Sequence, residues 1–173
     1  NLTQEANRID SDVRIGWFRA VCNNFHAFGI QSMLDHLATY TKKDPIDFQL
    51  AHIKKSAASK PAFDEYNHKR LIGVIEAVRK ESGWDKKDKR HFGFACHYSF
   101  LSYIACVAEV ETNDSEQGFR DKELWMVSDS GKVINPDAVK AQLEGSAVFG
   151  VSIALHSEIT IQDGQVEQSN FDD

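Results

Sequence analysis

Nowhere does this chain carry an apolar run approaching the ~20 residues that a bilayer-spanning helix needs, which argues against direct membrane insertion. Nor does it open with the basic, apolar and small-residue succession of a secretory signal. Positive charge is scarce: 20 Lys and Arg stand against 26 Asp and Glu, for a net charge of −6. Nucleic-acid binders carry a basic footprint, so no nucleic-acid partner is expected. The one basic run, Lys86, Lys87, Lys89 and Arg90, is broken by Asp88 and preceded by Asp85, and reads as a solvated loop. Cysteine is sparse too. Cys22, Cys96 and Cys106 are an odd number without C-x-x-C spacing, and Cys106 lies in an apolar strand pattern. Reduced thiols rather than a disulfide framework follow. Internal repeats and low-complexity tracts are lacking.

What is present is ordinary globular chain, 42% apolar and 27% charged over 173 residues. That length suits one domain, or one and a fraction, with enough chain for a core. It begins at Asn1 and ends just after a hairpin pattern, so an excised piece of a longer protein is expected. Residues 1–15 are polar, with Val13 and Ile15 alternating with charges. A helix is expected from Phe25 to Tyr40, capped by Asn23 and Asn24, with Phe25, Phe28, Met33, Leu34 and Leu37 approximating one apolar face. Asp44-Pro45 opens a second helix carrying Ile46, Leu50 and Ile53. A linker over 55–67 leads to a third, from His68 to Ser82, stopped by Gly83, with Trp84 packing back over its end. The pattern then changes to strands, at Phe92–His97, Tyr103–Glu111 and Lys122–Ser128, with a turn over Asn113–Gly118. A helix from Pro136 to Leu155 offers Ala138, Leu143, Ala147, Val148, Val151 and Leu155 for burial. Its internal Gly145 and Gly150 each cost about 1 kcal/mol and suggest close backbone packing. Asp163-Gly164 closes a final hairpin.

The expected fold class is therefore α+β: an antiparallel or mixed sheet with helices packed on one face, preceded by a helical segment. Two parts are expected, residues 1–90 and residues 91–173.

The stretch richest in chemistry is Asp129 to Gly145. A strand end and a turn at Gly131 lead to Asn135 as N-cap, Pro136 at the first helical position and Asp137 in the first turn. Backbone N–H groups gathered at such a corner suit an anion or the polar edge of a cofactor. Gln142, two turns along, is either solvated or an amide reaching a ligand with both a donor and an acceptor. Arg19, set between Phe18 and Ala20, is either a surface side chain or a cation planted near an anionic group. Seven histidines raise the question of metal, but His91, His97 and His156 come from different elements, and no pair of histidines shows i,i+4 metal-ligand spacing with a carboxylate partner. No metal site is expected, and no base identifies a cysteine nucleophile.

Three blocks carry a resemblance. Gly16-Trp17-Phe18-Arg19-Ala20-Val21 is followed by a helix and Lys43-Asp44-Pro45-Ile46-Asp47-Phe48. The second block is His97 to Val110. The third is Asp129-Ser130-Gly131-Lys132-Val133-Ile134-Asn135-Pro136 through Gln142-Leu143-Glu144-Gly145, with the hairpin segment Gly164 to Phe171. The chain resembles the large, molybdopterin-binding subunit of the xanthine dehydrogenase and aldehyde oxidase family of molybdenum hydroxylases. Within it, the isoquinoline 1-oxidoreductase beta subunits and membrane-associated aldehyde dehydrogenases of bacteria are similar.

The resemblance implies hydroxylation of an aldehyde or an N-heteroaromatic carbon with oxygen from water, the electrons passing to iron–sulfur clusters on a partner subunit. It implies Phe18 and Arg19 beside substrate and cofactor, Gln142 bonded to molybdopterin, and Asn135 and Gly131 shaping the turn that presents that helix. The cofactor would be the cytosine dinucleotide form, with no metal ligand from the protein. The resemblance implies a bacterial parent that is periplasmic, membrane-associated or cytoplasmic, and the piece itself does not say which.

Departures from the family pattern bear on this. The glycine-rich cofactor loops are missing, as is the Gly-Glu-Pro-type glutamate that serves as base, so no catalytic residue is expected here and the piece alone is expected to be inactive. After Arg19 the chain reads Ala-Val-Cys-Asn-Asn where xanthine dehydrogenases are glycine-rich, which argues against a purine substrate. The competing reading is a non-catalytic α+β scaffold or interaction module.

Overall fold

The computed structural model describes residues 16–58, 66–86, 91–113 and 118–170. The expectations for residues 1–15, the middle of the 55–67 linker, Lys87, Lys89 and Arg90, and the tip of the 113–118 turn lie outside the described residues. The elements run α1 (Asn23–Tyr40), α2 (Pro45–Ser56), α3 (His68–Glu81), a 3-10 turn (Trp84–Lys86), β1 (Phe92–Ser99), β2 (Ser102–Asn113), β3 (Gly118–Asp129), α4 (Pro136–Leu155), β4 (Ile161–Gln162) and β5 (Gln165–Val166). This is the α+β plan, with an antiparallel β1-β2-β3 sheet and a separate two-stranded hairpin.

Contacts gather the described residues into two units. Cys22–Leu143 form one; the residues up to Val21 and those from Glu144 onward form the other.

In the Cys22–Leu143 unit, strand alternation builds the core. Phe94 and Cys96 of β1 and Tyr103, Ala105 and Val107 of β2 are buried on one sheet face. Trp125 and Val127 pack against the same cluster from β3, paired with Val107 and Ala105. Leu71, Val74, Ile75 and Val78 of α3 cover that face, since residues three and four apart share one side of a helix. Ile46 and Leu50 of α2 complete the cluster. Asp44 caps α2 by accepting from the Ile46 and Asp47 N–H groups at 3.0 and 3.1 Å. Its other oxygen accepts from Trp84 Nε1 at 2.8 Å, which locks the buried indole over the end of α3.

Two helices depart from expectation. In α1, Cys22 and not an asparagine holds the N-cap position, without a side-chain hydrogen bond. The apolar face of α1 does not enter the core: Phe25 and Phe28 are 70% and 76% exposed, and only Ala38 is buried. At about 100° per residue, Phe25 and Phe28 point away from Leu34 and Leu37, so there is no single stripe to bury. The helix α4 keeps the expected bounds but buries no residue. Leu143, Ala147 and Val151 are half-buried, whereas Ala138, Val148 and Leu155 are exposed, because its apolar residues run around the helix. Its glycines do not meet another backbone. A Cβ at Gly145 would lie 3.9 Å from Arg19 Nη1, and one at Gly150 would meet nothing within 4 Å.

Candidate functional site

The corner between β3 and α4 is built as the local chemistry requires. Asp129, the last residue of β3, accepts the Gly131 N–H on Oδ1 at 3.0 Å. That bond closes an Asx-type turn and places Gly131 at φ +77, a left-handed conformation that glycine adopts without a Cβ penalty. Asn135 then caps α4: its Oδ1 accepts the Ala138 N–H at 3.1 Å and its carbonyl accepts the Val139 N–H at 3.3 Å. Every residue from Ser130 to Ala138 is exposed. Gln142, also exposed, follows Asn135 by seven residues, about two turns, and so returns close to the same helical face. Gly131, Asn135 and Gln142 are thus exposed residues of the Cys22–Leu143 unit around the start of α4.

Beside that corner lies a cleft of about 430 Å³ lined by Lys69, Arg70, Gly73, Val127, Ser128 and Asp129. Arg70 crosses it. Nε and Nη2 of Arg70 donate to the two carboxylate oxygens of Asp129, both at 2.8 Å. Hydrogen bonding from Arg70, and then from the Gly131 N–H, pulls the Asp129 carboxyl down to about 2. Asp129 opens the stretch marked in the sequence, whereas no motif there points to Arg70. One signal was there: a cation in the first turn of α3 is at the wrong end of the helix dipole, so it needs an anion from elsewhere.

Phe18 and Arg19 belong to the other unit, and what they touch there is the second half of α4. The Phe18 ring lies 5.2 Å from that of Phe149. The Arg19 guanidinium carbon stands 5.8 Å from the Phe149 ring centroid, and its Nη1 would lie 3.9 Å from a Cβ at Gly145. Val21 donates to the Phe18 carbonyl at 2.9 Å, closing a turn in which Ala20 has φ 68.

A further groove of about 490 Å³ lies between α1 and β1, lined by residues including Phe28, Gln31, Phe94, Cys96, His97 and Cys106. At its base is a polar knot the sequence did not reveal. Gln31 Oε1 accepts from Gln49 Nε2 at 2.9 Å and from the Cys96 N–H at 3.2 Å, and Cys96 Sγ donates to Gln49 Oε1 at 3.3 Å. Burial pushes the Cys96 thiol up to about 12, so the knot is structural rather than nucleophilic. Among the described residues no group of three His, Cys, Asp or Glu side chains is placed to hold a metal ion.

Residues 30–173 match the family of molybdopterin cofactor-binding domains. The chain belongs to that family, within the molybdenum hydroxylases. It is 32% identical over 151 residues to the beta subunit of isoquinoline 1-oxidoreductase from Brevundimonas diminuta, covering 84% of this chain and 18% of that protein. To a membrane-bound aldehyde dehydrogenase (pyrroloquinoline-quinone) of Gluconacetobacter polyoxogenes it is 29% identical over 168 residues, 91% of this chain and 22% of that protein. To one of the subunits of nicotinate dehydrogenase from Pseudomonas putida it is 22% identical over 178 residues, 92% and 14%. The chain thus spans about a fifth of the length of the first two. The β3–α4 corner is polar and exposed: Asn135, Gln142 and the Gly131 turn all lie at the surface of the Cys22–Leu143 unit.

Proposed function

We propose that this chain forms one wall of the molybdopterin site of an oxidoreductase that hydroxylates an aldehyde or an N-heteroaromatic carbon. The observation that carries the reading is the β3–α4 corner, where a glycine turn, an asparagine cap and Gln142 two helical turns on are exposed residues near a cleft that ends at Asp129. Gln142 would hydrogen-bond the pterin near its dithiolene, while Asn135 and Gly131 hold the turn that aims it. Phe18 and Arg19 would lie on the substrate side, Arg19 supplying a fixed positive charge. When bound, the cofactor supplies the redox chemistry through molybdenum held by its two sulfurs, with oxygen drawn from water.

The cytosine dinucleotide form, a separate iron–sulfur subunit that accepts the electrons and a small-molecule substrate belong to the same proposal. Two of the relatives are themselves named as subunits, which supports the expectation of partner chains. Since the chain has none of the family's base glutamate segment, the 173 residues alone would not turn over substrate.

The test is Gln142→Ala in the complete subunit, with molybdenum per polypeptide measured by metal analysis. Loss of one hydrogen bond worth about 1 kcal/mol weakens retention about fivefold. Unchanged molybdenum content removes Gln142 from the site. The second reading, a non-catalytic interaction module, would show itself as native protein purified without pterin.

A further inference from the structure

Arg70 stands where three elements of the Cys22–Leu143 unit meet. It is the third residue of α3, and its guanidinium reaches across to the end of β3 and to the turn between β1 and β2. Besides the two bonds to the Asp129 carboxylate, Nη2 donates to the Asp129 carbonyl at 3.1 Å and Nη1 to the Leu101 carbonyl at 3.4 Å. Its central carbon lies 4.5 Å from the centroid of the Tyr103 ring. Tyr103 is fully buried, and its hydroxyl accepts the Asn67 N–H at 2.6 Å, immediately before α3. The fork is therefore backed by a rigid ring and held from both sides.

What the fork holds is the acceptor of the Gly131 turn. Asp129 Oδ1 receives both Arg70 Nη2 and the Gly131 N–H, at 2.8 and 3.0 Å. A Cβ on Gly131 would come within 3.8 Å of Arg70 Nη2, so the guanidinium lies directly against the turn. Only an arginine offers two parallel donors to one carboxylate and further donors to neighbouring carbonyls.

We infer that Arg70 is a positioning residue for the β3–α4 corner: it fixes Asp129, Asp129 fixes the Gly131 turn, and the turn sets where Asn135 and Gln142 present themselves. This rests on the reading of that corner as a molybdopterin edge. It assigns the site a support that comes from α3, 59 residues away in sequence from Asp129.

The experiment compares Arg70→Lys and Asp129→Asn with the unaltered complete subunit. Amide hydrogen exchange is read over residues 128–135 and over the core strand β2, alongside pterin content per polypeptide. Lysine keeps the charge and loses the fork. The expected result is exchange about tenfold faster over 128–135 with β2 unchanged, and pterin content lowered in both variants. A merely structural role would loosen β2 as well, and that outcome overturns the inference. Unchanged exchange over 128–135 overturns it too. If the turn loosens and pterin content holds, while Gln142→Ala does lose pterin, Arg70 has no positioning role toward the site. If neither Arg70→Lys nor Gln142→Ala lowers pterin content, the reading of the corner itself has failed.

Discussion

Asp129 shows how one residue at the end of a strand sets the pH range over which a turn persists. Its carboxyl is lowered first by hydrogen bonding from Arg70 and second by the Gly131 N–H, to about 2 against an ordinary 3.8. A folded value below the unfolded one means that the ionised form favours the folded turn. That contribution is fully present above about pH 4 and is lost as pH falls toward 2. The expected outcome is that the Asp129 side-chain carboxyl resonance and the Gly131 amide titrate together with a midpoint near 2; a midpoint close to 3.8 would show the pair to be open in solution. Gly131 and Asn135 were legible in the sequence because a turn glycine and an N-cap act on residues within four positions. Arg70 was not, because its partner is set by tertiary packing of α3 against the sheet. The dipole mismatch at the start of α3 signals that a partner exists without saying which one.

Elements with strong local punctuation came out as read. Asp44-Pro45 starts α2, Gly83 follows the end of α3, and Asp163-Gly164 turns the last hairpin. The amphipathic reading of α1 failed because five apolar residues at roughly helical spacing still spread around the cylinder. The β1–β2 hairpin carries its own surprise. Its two-residue turn consists of Phe100 and Leu101 at φ 48 and 63, with Ser99 paired to Ser102. That geometry belongs to Asn-Gly, and two bulky residues hold it under strain while 75% and 57% exposed. Replacing Phe100-Leu101 by Asn-Gly keeps the backbone carbonyl that Arg70 uses. It should raise stability by about 1–2 kcal/mol, seen as a melting temperature higher by several degrees. A lowered melting temperature would mean that the two side chains make contacts worth more than the strain.

At the scale of the whole molecule, the fold class was readable because helical and strand periodicities are separated along the chain. The expectation that Arg19 and Gln142 lie beside one cofactor is of another kind. The two residues fall in different compact units, and local patterns in sequence say nothing of how units come together. Within each unit the sequence-derived residues do find partners, Arg19 on Phe149 and Asn135 on the start of α4. The three thiols differ sharply in depth. Cys22 is exposed, whereas burial lifts Cys106 to about 11 and Cys96 to about 12. Since only a thiolate alkylates quickly, a maleimide at neutral pH should add one mass increment to the native chain and three after denaturation, as intact-mass spectrometry would count. Two rapid additions to the native chain would place Cys106 within reach of solvent. A single reactive sulfur just ahead of α1 makes Cys22 a ready anchor for a fluorophore or spin label, with no other cysteine to be removed first.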